Sequence, residues 1–190
     1  MANIICVFLL WFYSARFKKD LLIGNIIVSL LTTWTILIIF LSKYSLMDAF
    51  GHTDPGQVRF FRFAILYAGF AFIISLIREA IKDIEDMPGD EKFGCKTMPI
   101  VWGVNATKVY ITVWLTILII MLLVIQFYVL QFRWWLAVIY CFICIVLPLL
   151  FIFRKLLKAQ STSDYHQLSS YTKAAMFTGI LSMLFFFIYL

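Results

Sequence analysis

The residues best suited to chemistry lie in one short segment, 78–99, which reads REAIKDIEDMPGDEKFGCKTMP. Asp83, Asp86 and Asp90 follow one another closely there, and glutamates lie beside them. Carboxylates at this density repel one another and need cations. Oxygen ligands of this kind bind Mg²⁺, which is usually shared with the phosphates of a substrate. The segment therefore predicts divalent-metal and diphosphate chemistry, with the three aspartates as metal ligands.

The spacing of the first acids predicts a common helix face. An apolar stretch runs into the segment, so a helix is expected to continue past residue 77. At 100° per residue, Glu79, Asp83 and Asp86 fall within a narrow arc, whereas Lys82 and Glu85 point elsewhere. The face would present several carboxylates to one ligand.

A break or bend in this helix is predicted at the Pro-Gly pair at 88–89. Asp90 would lie on the same arc in an ideal helix, and after a break it would stay near. Beyond it, Lys92, Lys96 and Thr97 could donate hydrogen bonds to anionic oxygens.

The alternative for this segment is a solvated loop whose charges pair locally, Arg78 with Glu79 and Lys82 with Asp86. The segment directly follows a stretch long enough to span a membrane. Ionisable groups in such a place are costly and usually functional, which favours a metal or phosphate site.

The remaining composition predicts an all-α membrane protein. Hydrophobic residues make up 64% of the chain and charged residues 14%, more apolar surface than a soluble domain of 190 residues could bury. Long apolar segments in a bilayer must be helical, because their backbone polar groups have to be satisfied within the segment. We predict a multi-spanning helical bundle with five full transmembrane helices plus one short N-terminal one, at 2–13, 21–41, 63–77, 109–131, 134–153 and 174–190.

The basic residues predict the orientation of this bundle. Twelve lysines and arginines fall on one face and four on the other, which places the first face in the cytoplasm by the positive-inside rule. The net charge of +6 is thus a topology signal, and no nucleic-acid partner is expected. The protein is predicted to be integral to the cell (inner) membrane, with the acidic loop facing the cytoplasm. The twelve are Arg16, Lys18, Lys19, Arg78, Lys82, Lys92, Lys96, Lys108, Arg154, Lys155, Lys158 and Lys173.

Other reactive residues give weaker signals. Cys141 and Cys144 form a C-x-x-C in the middle of an apolar span, where packing is the expected role. His52 and His166 are expected to be isolated loop residues without metal partners. The polar stretch 154–173 is expected to be a surface connector.

A second candidate segment is basic: YSARFKK at 13–19, which lies on the same predicted cytoplasmic face as the acidic segment. Alone it is typical of an interfacial aromatic anchor with positive-inside charges. Together, however, the two segments resemble motifs of the UbiA superfamily of intramembrane prenyltransferases. The acidic segment is similar to the second aspartate-rich motif of that family, R-E-x-x-K-D-x-E-D-x-x-G-D followed by G-x-x-T-x-P. The matching residues are Arg78, Glu79, Lys82, Asp83, Glu85, Asp86, Gly89, Asp90, Gly94, Thr97 and Pro99.

This resemblance implies an enzyme that moves a polyprenyl group from its diphosphate to an acceptor within a lipid bilayer. The acceptor would be a small aromatic quinone precursor or a glycerophosphate-type lipid, and the cofactor would be Mg²⁺. Asp83, Asp86 and Asp90 would be the catalytic, metal-binding residues. The diphosphate would be bound by Tyr13, Lys18, Lys19, Arg78, Lys82 and Lys96.

One departure limits the resemblance. The family has a first aspartate-rich motif, N-D-x-x-D-x-x-x-D, and this chain contains no such string. Residues 1–190 are therefore expected to form a single membrane domain that resembles the C-terminal part of such an enzyme, with the N-terminal half as a candidate partner chain. Two alternatives stay open: a catalytically incomplete or non-enzymatic membrane subunit, and a divalent-cation transporter.

Overall fold

The computed structural model describes residues 6–11, 21–43 and 55–185, and these residues are almost entirely helical. No strand occurs within these ranges, so the predicted all-α class is confirmed. The helices are α1 (Ile23–Lys43), α2 (Pro55–Lys92), α3 (Met98–Trp102), α4 (Val104–Leu130), α5 (Trp135–Cys141), a π-helical segment (Phe142–Val146), α6 (Leu147–Lys158) and α7 (Thr162–Leu181).

Three of the described helical runs are long and apolar enough to cross a membrane: Phe60–Lys92, Val104–Leu130 and Trp135–Lys158. A shorter apolar helix covers Ile23–Ile39. A multi-spanning helical membrane protein is therefore confirmed. Half of the short first span predicted at 2–13 lies outside the described residues, and its described part, 6–11, is helical.

The chain forms two compact units, Met1–Leu76 and Ile77–Leu190. In the first unit, α1 contacts the early part of α2 through small hydroxyl side chains. Thr32 Oγ1 lies 3.4 Å from Ser75 Oγ, and Thr33 Oγ1 donates to the carbonyl of Ala68 at 3.4 Å. Small residues let helix backbones approach closely in a bilayer, where packing and hydrogen bonds drive association.

The second unit has its own core. Helix α4 packs on α3, α5 and α6, and α6 packs on α7. Branched aliphatic side chains fill the space between these helices, because they lie on the inward stripe of each helix. Those without exposed surface are Ile77, Ile81, Ile111, Leu115, Leu149, Ile152, Leu156 and Leu168.

The π-helical segment is stabilised from α7. The hydroxyl of Thr178 donates to the carbonyl of Cys144 at 2.9 Å, and the hydroxyl of Tyr140 donates to the carbonyl of Thr178 at 3.0 Å. A π-helical turn interrupts the regular backbone hydrogen-bond ladder, and the Thr178 hydroxyl gives the Cys144 carbonyl a partner from outside the helix. Cys141 and Cys144 are free thiols beside this contact.

The polar stretch 154–173, predicted as a surface connector, is mostly helix. Only residues 159–161 separate α6 from α7. Ser161 and Asp164 form a capping box that starts α7 at Thr162, and Leu168 and Thr172 are buried. Most of these residues are exposed, as predicted for a surface stretch, but the stretch is helical because its serines and threonines cap and pack a helix.

Candidate functional site

Helix α2 carries the acidic segment without a break. It runs through Pro88 and Gly89 to Lys92, so the break expected at 88–89 does not occur, and the bend stays a prediction. Proline removes one backbone hydrogen bond, to the carbonyl of Ile84, but a helix can continue around that defect. Asp90 therefore stays on the helix, in the arc of the preceding acids.

Helix α2 ends at Lys92, and Gly94 lies in the turn that follows it. This residue has φ +67°, a conformation that glycine adopts without a steric penalty. Its N–H bonds the carbonyl of Glu91 at 3.1 Å, and the N–H of Cys95 bonds the carbonyl of Asp90 at 3.0 Å. This pair of bonds is a Schellman motif, which satisfies the last carbonyls of the helix.

The acidic face of α2, defined here as Glu79, Asp83, Asp86 and Asp90, lies within an arc of about 60°. Glu79 is only 8% exposed, Asp83 and Asp90 are half-buried and Asp86 is exposed. The buried aliphatic residues of the same part of α2 lie between about 90° and 170° away from the centre of this arc. They are Ile77, Ala80, Ile81 and Ile84. The acidic face is thus distinct from the face that α2 contributes to the core of its unit.

The carboxylates of the acidic face fit a Mg²⁺ ion that is shared with a substrate. Asp83 and Asp90 are seven residues apart, about 10 Å along the helix axis. Among the described residues, no group of three or more His, Cys, Asp or Glu side chains converges on one point. Mg²⁺ commonly takes only one or two carboxylates and fills its other positions with phosphate oxygens and water. Neighbouring pairs on the acidic face could each supply such ligands.

The basic residues near this face differ in their surroundings. The guanidinium of Arg78 forms an ion pair with the carboxylate of Glu79. This is one of the two local pairs expected for a solvated loop. The other predicted pair, Lys82 with Asp86, is not formed within the described ranges. Lys82 and Lys96 are exposed, so both can reach an anion.

Not every predicted donor is available. The side chain of Thr97 is buried, and its hydroxyl has no hydrogen-bond partner among the described residues. The backbone carbonyl of Thr97 accepts hydrogen bonds from the N–H groups of Ile100 and Val101 at the start of α3, at 3.1 Å each. Tyr13, Lys18 and Lys19, predicted to bind diphosphate, lie outside the described residues.

His166 is the residue that sequence reasoning missed. It lies on α7, not in a loop, and its Nδ1 is 2.6 Å from Oε1 of Glu85. The prediction that it is isolated was wrong, because only the fold brings α7 to this part of α2. No sequence spacing could have indicated a contact between residues 81 positions apart. His52 lies outside the described residues.

A second long-range contact places more of the basic residues at the same end of this unit. The ammonium of Lys108, near the start of α4, donates to the carbonyl of Ala159 in the α6–α7 turn. Together with the contact between Glu85 and His166, it brings the two predicted cytoplasmic stretches, 82–108 and 154–173, to one end.

The chain is similar to one known protein family and to relatives that share a single name. The UbiA prenyltransferase family matches residues 2–181. A relative from Methanosphaera stadtmanae, named digeranylgeranylglyceryl phosphate synthase, is 30% identical over 94% of this chain and 59% of its own length. A relative of the same name from Korarchaeum cryptofilum is 30% identical over 92% of this chain and 57% of its own.

A third relative of that name, from Methanospirillum hungatei, is 37% identical over 52% of this chain and 31% of its own length. The chain thus spans less than two thirds of the relatives it matches. No solved structure matches it.

Proposed function

Because the chain belongs to the UbiA prenyltransferase family, we propose that it forms the diphosphate-binding part of a prenyltransferase. The observation that carries the proposal is the acidic face of α2, which keeps Asp83, Asp86 and Asp90 on one unbroken helix. The reaction would break the bond between the prenyl carbon and its diphosphate. It would form an ether bond to an acceptor hydroxyl, whose proton passes to water.

The proposed metal is Mg²⁺, held by Asp83, Asp86 and Asp90 together with diphosphate oxygens. When bound, it would neutralise the negative charge that builds on the leaving diphosphate. Lys82 and Lys96 are exposed and would contact the same oxygens. Arg78 is oriented by Glu79 and would add a third cation. Tyr13, Lys18 and Lys19 are proposed to contribute from the other basic segment.

The relatives favour a glycerophosphate-type acceptor over an aromatic quinone precursor. Their name describes a glyceryl phosphate that carries two geranylgeranyl groups. The acceptor proposed for this chain is accordingly a glyceryl phosphate ether with one such group and one free hydroxyl. The same family membership disfavours a divalent-cation transporter.

The proposed location is the cell (inner) membrane, with the acidic end of α2 facing the cytoplasm. The apolar helical runs support the bilayer. The orientation rests on the excess of basic residues on that face.

The test is prenyl transfer from geranylgeranyl diphosphate to this acceptor, with Mg²⁺. It uses the purified chain, alone and co-expressed with the N-terminal part of the Methanosphaera stadtmanae relative. Asp86→Asn should lower turnover by about 100-fold or more, the usual loss for one electrostatic catalytic group. Glu91→Gln is the control, since Glu91 is exposed and lies roughly 110° from the acidic face. Undiminished transfer by Asp86→Asn, or no transfer in either preparation, would contradict the proposal.

A further inference from the structure

Glu85 lies among the proposed metal ligands but does not share their face. It is roughly 130° around α2 from the acidic face and borders the buried face at Ile81. Its carboxylate contacts Nδ1 of His166 at 2.6 Å. The contact suits donation from an Nδ1–H of His166 to the carboxylate oxygen, which is a hydrogen-bond acceptor. Glu85 thus attaches the acid-bearing part of α2 to α7.

The contact occurs within one turn of the proline inside α2. Pro88 has no N–H, so the carbonyl of Ile84 lacks its helical partner. That defect lies between Asp83 and Asp90, and a helix can bend there. A hydrogen bond at position 85, one residue past the carbonyl that Pro88 cannot pair with, restrains the same turn from outside.

The partner helix is well suited to hold such a contact. The N–H of Ser161 donates to Oδ2 of Asp164 at 3.0 Å, and the N–H of Asp164 donates to Oγ of Ser161 at 3.3 Å. Tyr165 and Leu168, on either side of His166, are buried. The first turns of α7 are therefore fixed by capping and packing, while the imidazole itself is 69% exposed.

We propose that His166 is a positioning residue for the acidic face of α2. By holding Glu85, it fixes the rotation of α2 around Pro88, so that Asp86 and Asp90 keep their direction relative to Asp83. This inference rests on the proposed function, because it assumes that these carboxylates bind a metal.

The experiment measures Mn²⁺ binding to the purified full chain in micelles by electron paramagnetic resonance, with geranylgeranyl diphosphate present because the proposed site shares its metal with diphosphate oxygens. His166→Ala should weaken binding by about tenfold, the lower end of losses for residues that orient metal ligands. His166→Asn should regain most of the affinity, because the side-chain amide can donate in place of Nδ1. Gln167→Ala, the exposed neighbour that pairs with Lys155, is the matched control and should bind as the wild type does.

Two further measurements separate the outcomes. Backbone hydrogen exchange at 84–90 should quicken in His166→Ala and stay at the wild-type rate in Gln167→Ala. The double variant Glu85→Gln with His166→Ala should bind Mn²⁺ no more weakly than the weaker single variant, since both remove the same contact.

If Asp86→Asn weakens Mn²⁺ binding and His166→Ala does not, the positioning role is wrong and the metal assignment stands. If Asp86→Asn has no effect, the metal assignment fails and the positioning role fails with it. Equal losses in His166→Ala and His166→Asn would also overturn the inference, because packing alone would then explain them.

Discussion

The ammonium group of Lys108 donates a hydrogen bond to the backbone carbonyl of Ala159, 51 residues later in the chain. The hydroxyl of Tyr165 donates to the same oxygen at 3.3 Å, and the ammonium lies 5.9 Å from the centre of the Tyr165 ring. Ala159 itself is buried. One carbonyl at the end of α6 thus joins α4, α6 and α7.

Replacing Lys108 with Met should destabilise the second unit, because the Ala159 carbonyl loses its charged donor. Hydrogen bonds to charged groups contribute about 1.5–3 kcal/mol, and Tyr165 remains as a second donor, so the lower end is expected. Unfolding by denaturing detergent measures the loss. Lys173→Met, at an exposed position on α7, should leave the midpoint unchanged. An equal loss of stability in Lys108→Met and Lys173→Met would contradict the prediction, because the removal of any positive charge would then explain it.

The sequence predicted the helices and the acidic face because both depend on local periodicity. Apolar runs of spanning length and acids at intervals of three and four residues determine a helix and one of its faces. The absence of a break at Pro88 has a local cause: proline weakens a helix without forcing it to end, and α2 continues to Lys92 before the turn at Gly94. The contact between Glu85 and His166 depends on how distant helices pack, which no local spacing encodes.

Gly94 and Gly103 should respond differently to alanine. Neither site has any atom within 4 Å of an added Cβ, so the backbone conformation alone decides the cost. Gly94 has φ +67°, a left-handed conformation that costs other residues about 1 kcal/mol. Gly103 has φ 83° and ψ 159°, a region nearly restricted to glycine, where the cost is about 1–3 kcal/mol.

The measurement is unfolding of both variants in denaturing detergent, with Gly69→Ala as the control inside a helix. Gly103→Ala should be the less stable of the two left-handed variants, and Gly94→Asn should be milder than Gly94→Ala. A larger loss for Gly94→Ala than for Gly103→Ala would contradict the assignment of backbone strain.

The capping box of α7 should make part of the stability depend on acid pH. Backbone hydrogen bonds from Ser161 and Gln160 lower the pKa of Asp164 from 3.8 to about 2. A carboxyl whose pKa is lower in the folded state stabilises that state above the unfolded pKa. The contribution should therefore be complete above about pH 4 and disappear as the pH falls through about 2.

Asp164→Asn should lower the thermal midpoint near pH 6, and its difference from the wild type should shrink toward pH 2. Ser163→Ala, an exposed neighbour in the same turn, should show no such convergence. A constant offset between Asp164→Asn and the wild type at every pH would contradict the predicted pKa effect.

The charge distribution predicts which ends of the helices face the cytoplasm. In a variant without the four native cysteines, Ser163→Cys should react with an impermeant thiol reagent only after intact cells are permeabilised. Gln131→Cys, exposed in the turn after α4, should react from outside. The reverse pattern would overturn the predicted orientation while leaving the fold unaffected.

Residues 1–190 by themselves should transfer prenyl groups poorly. The acidic face presents its carboxylates from a single helix, and no three of the described acids and other ligands converge. A leaving diphosphate needs its charge neutralised from more than one side, and a carbocation must be kept from water. Co-expression with the N-terminal part of the Methanosphaera stadtmanae relative should therefore raise Mg²⁺-dependent transfer, whereas the same segment paired with Asp86→Asn should not. Full activity of the purified chain alone would refute this prediction and would indicate that a second copy of the chain completes the site.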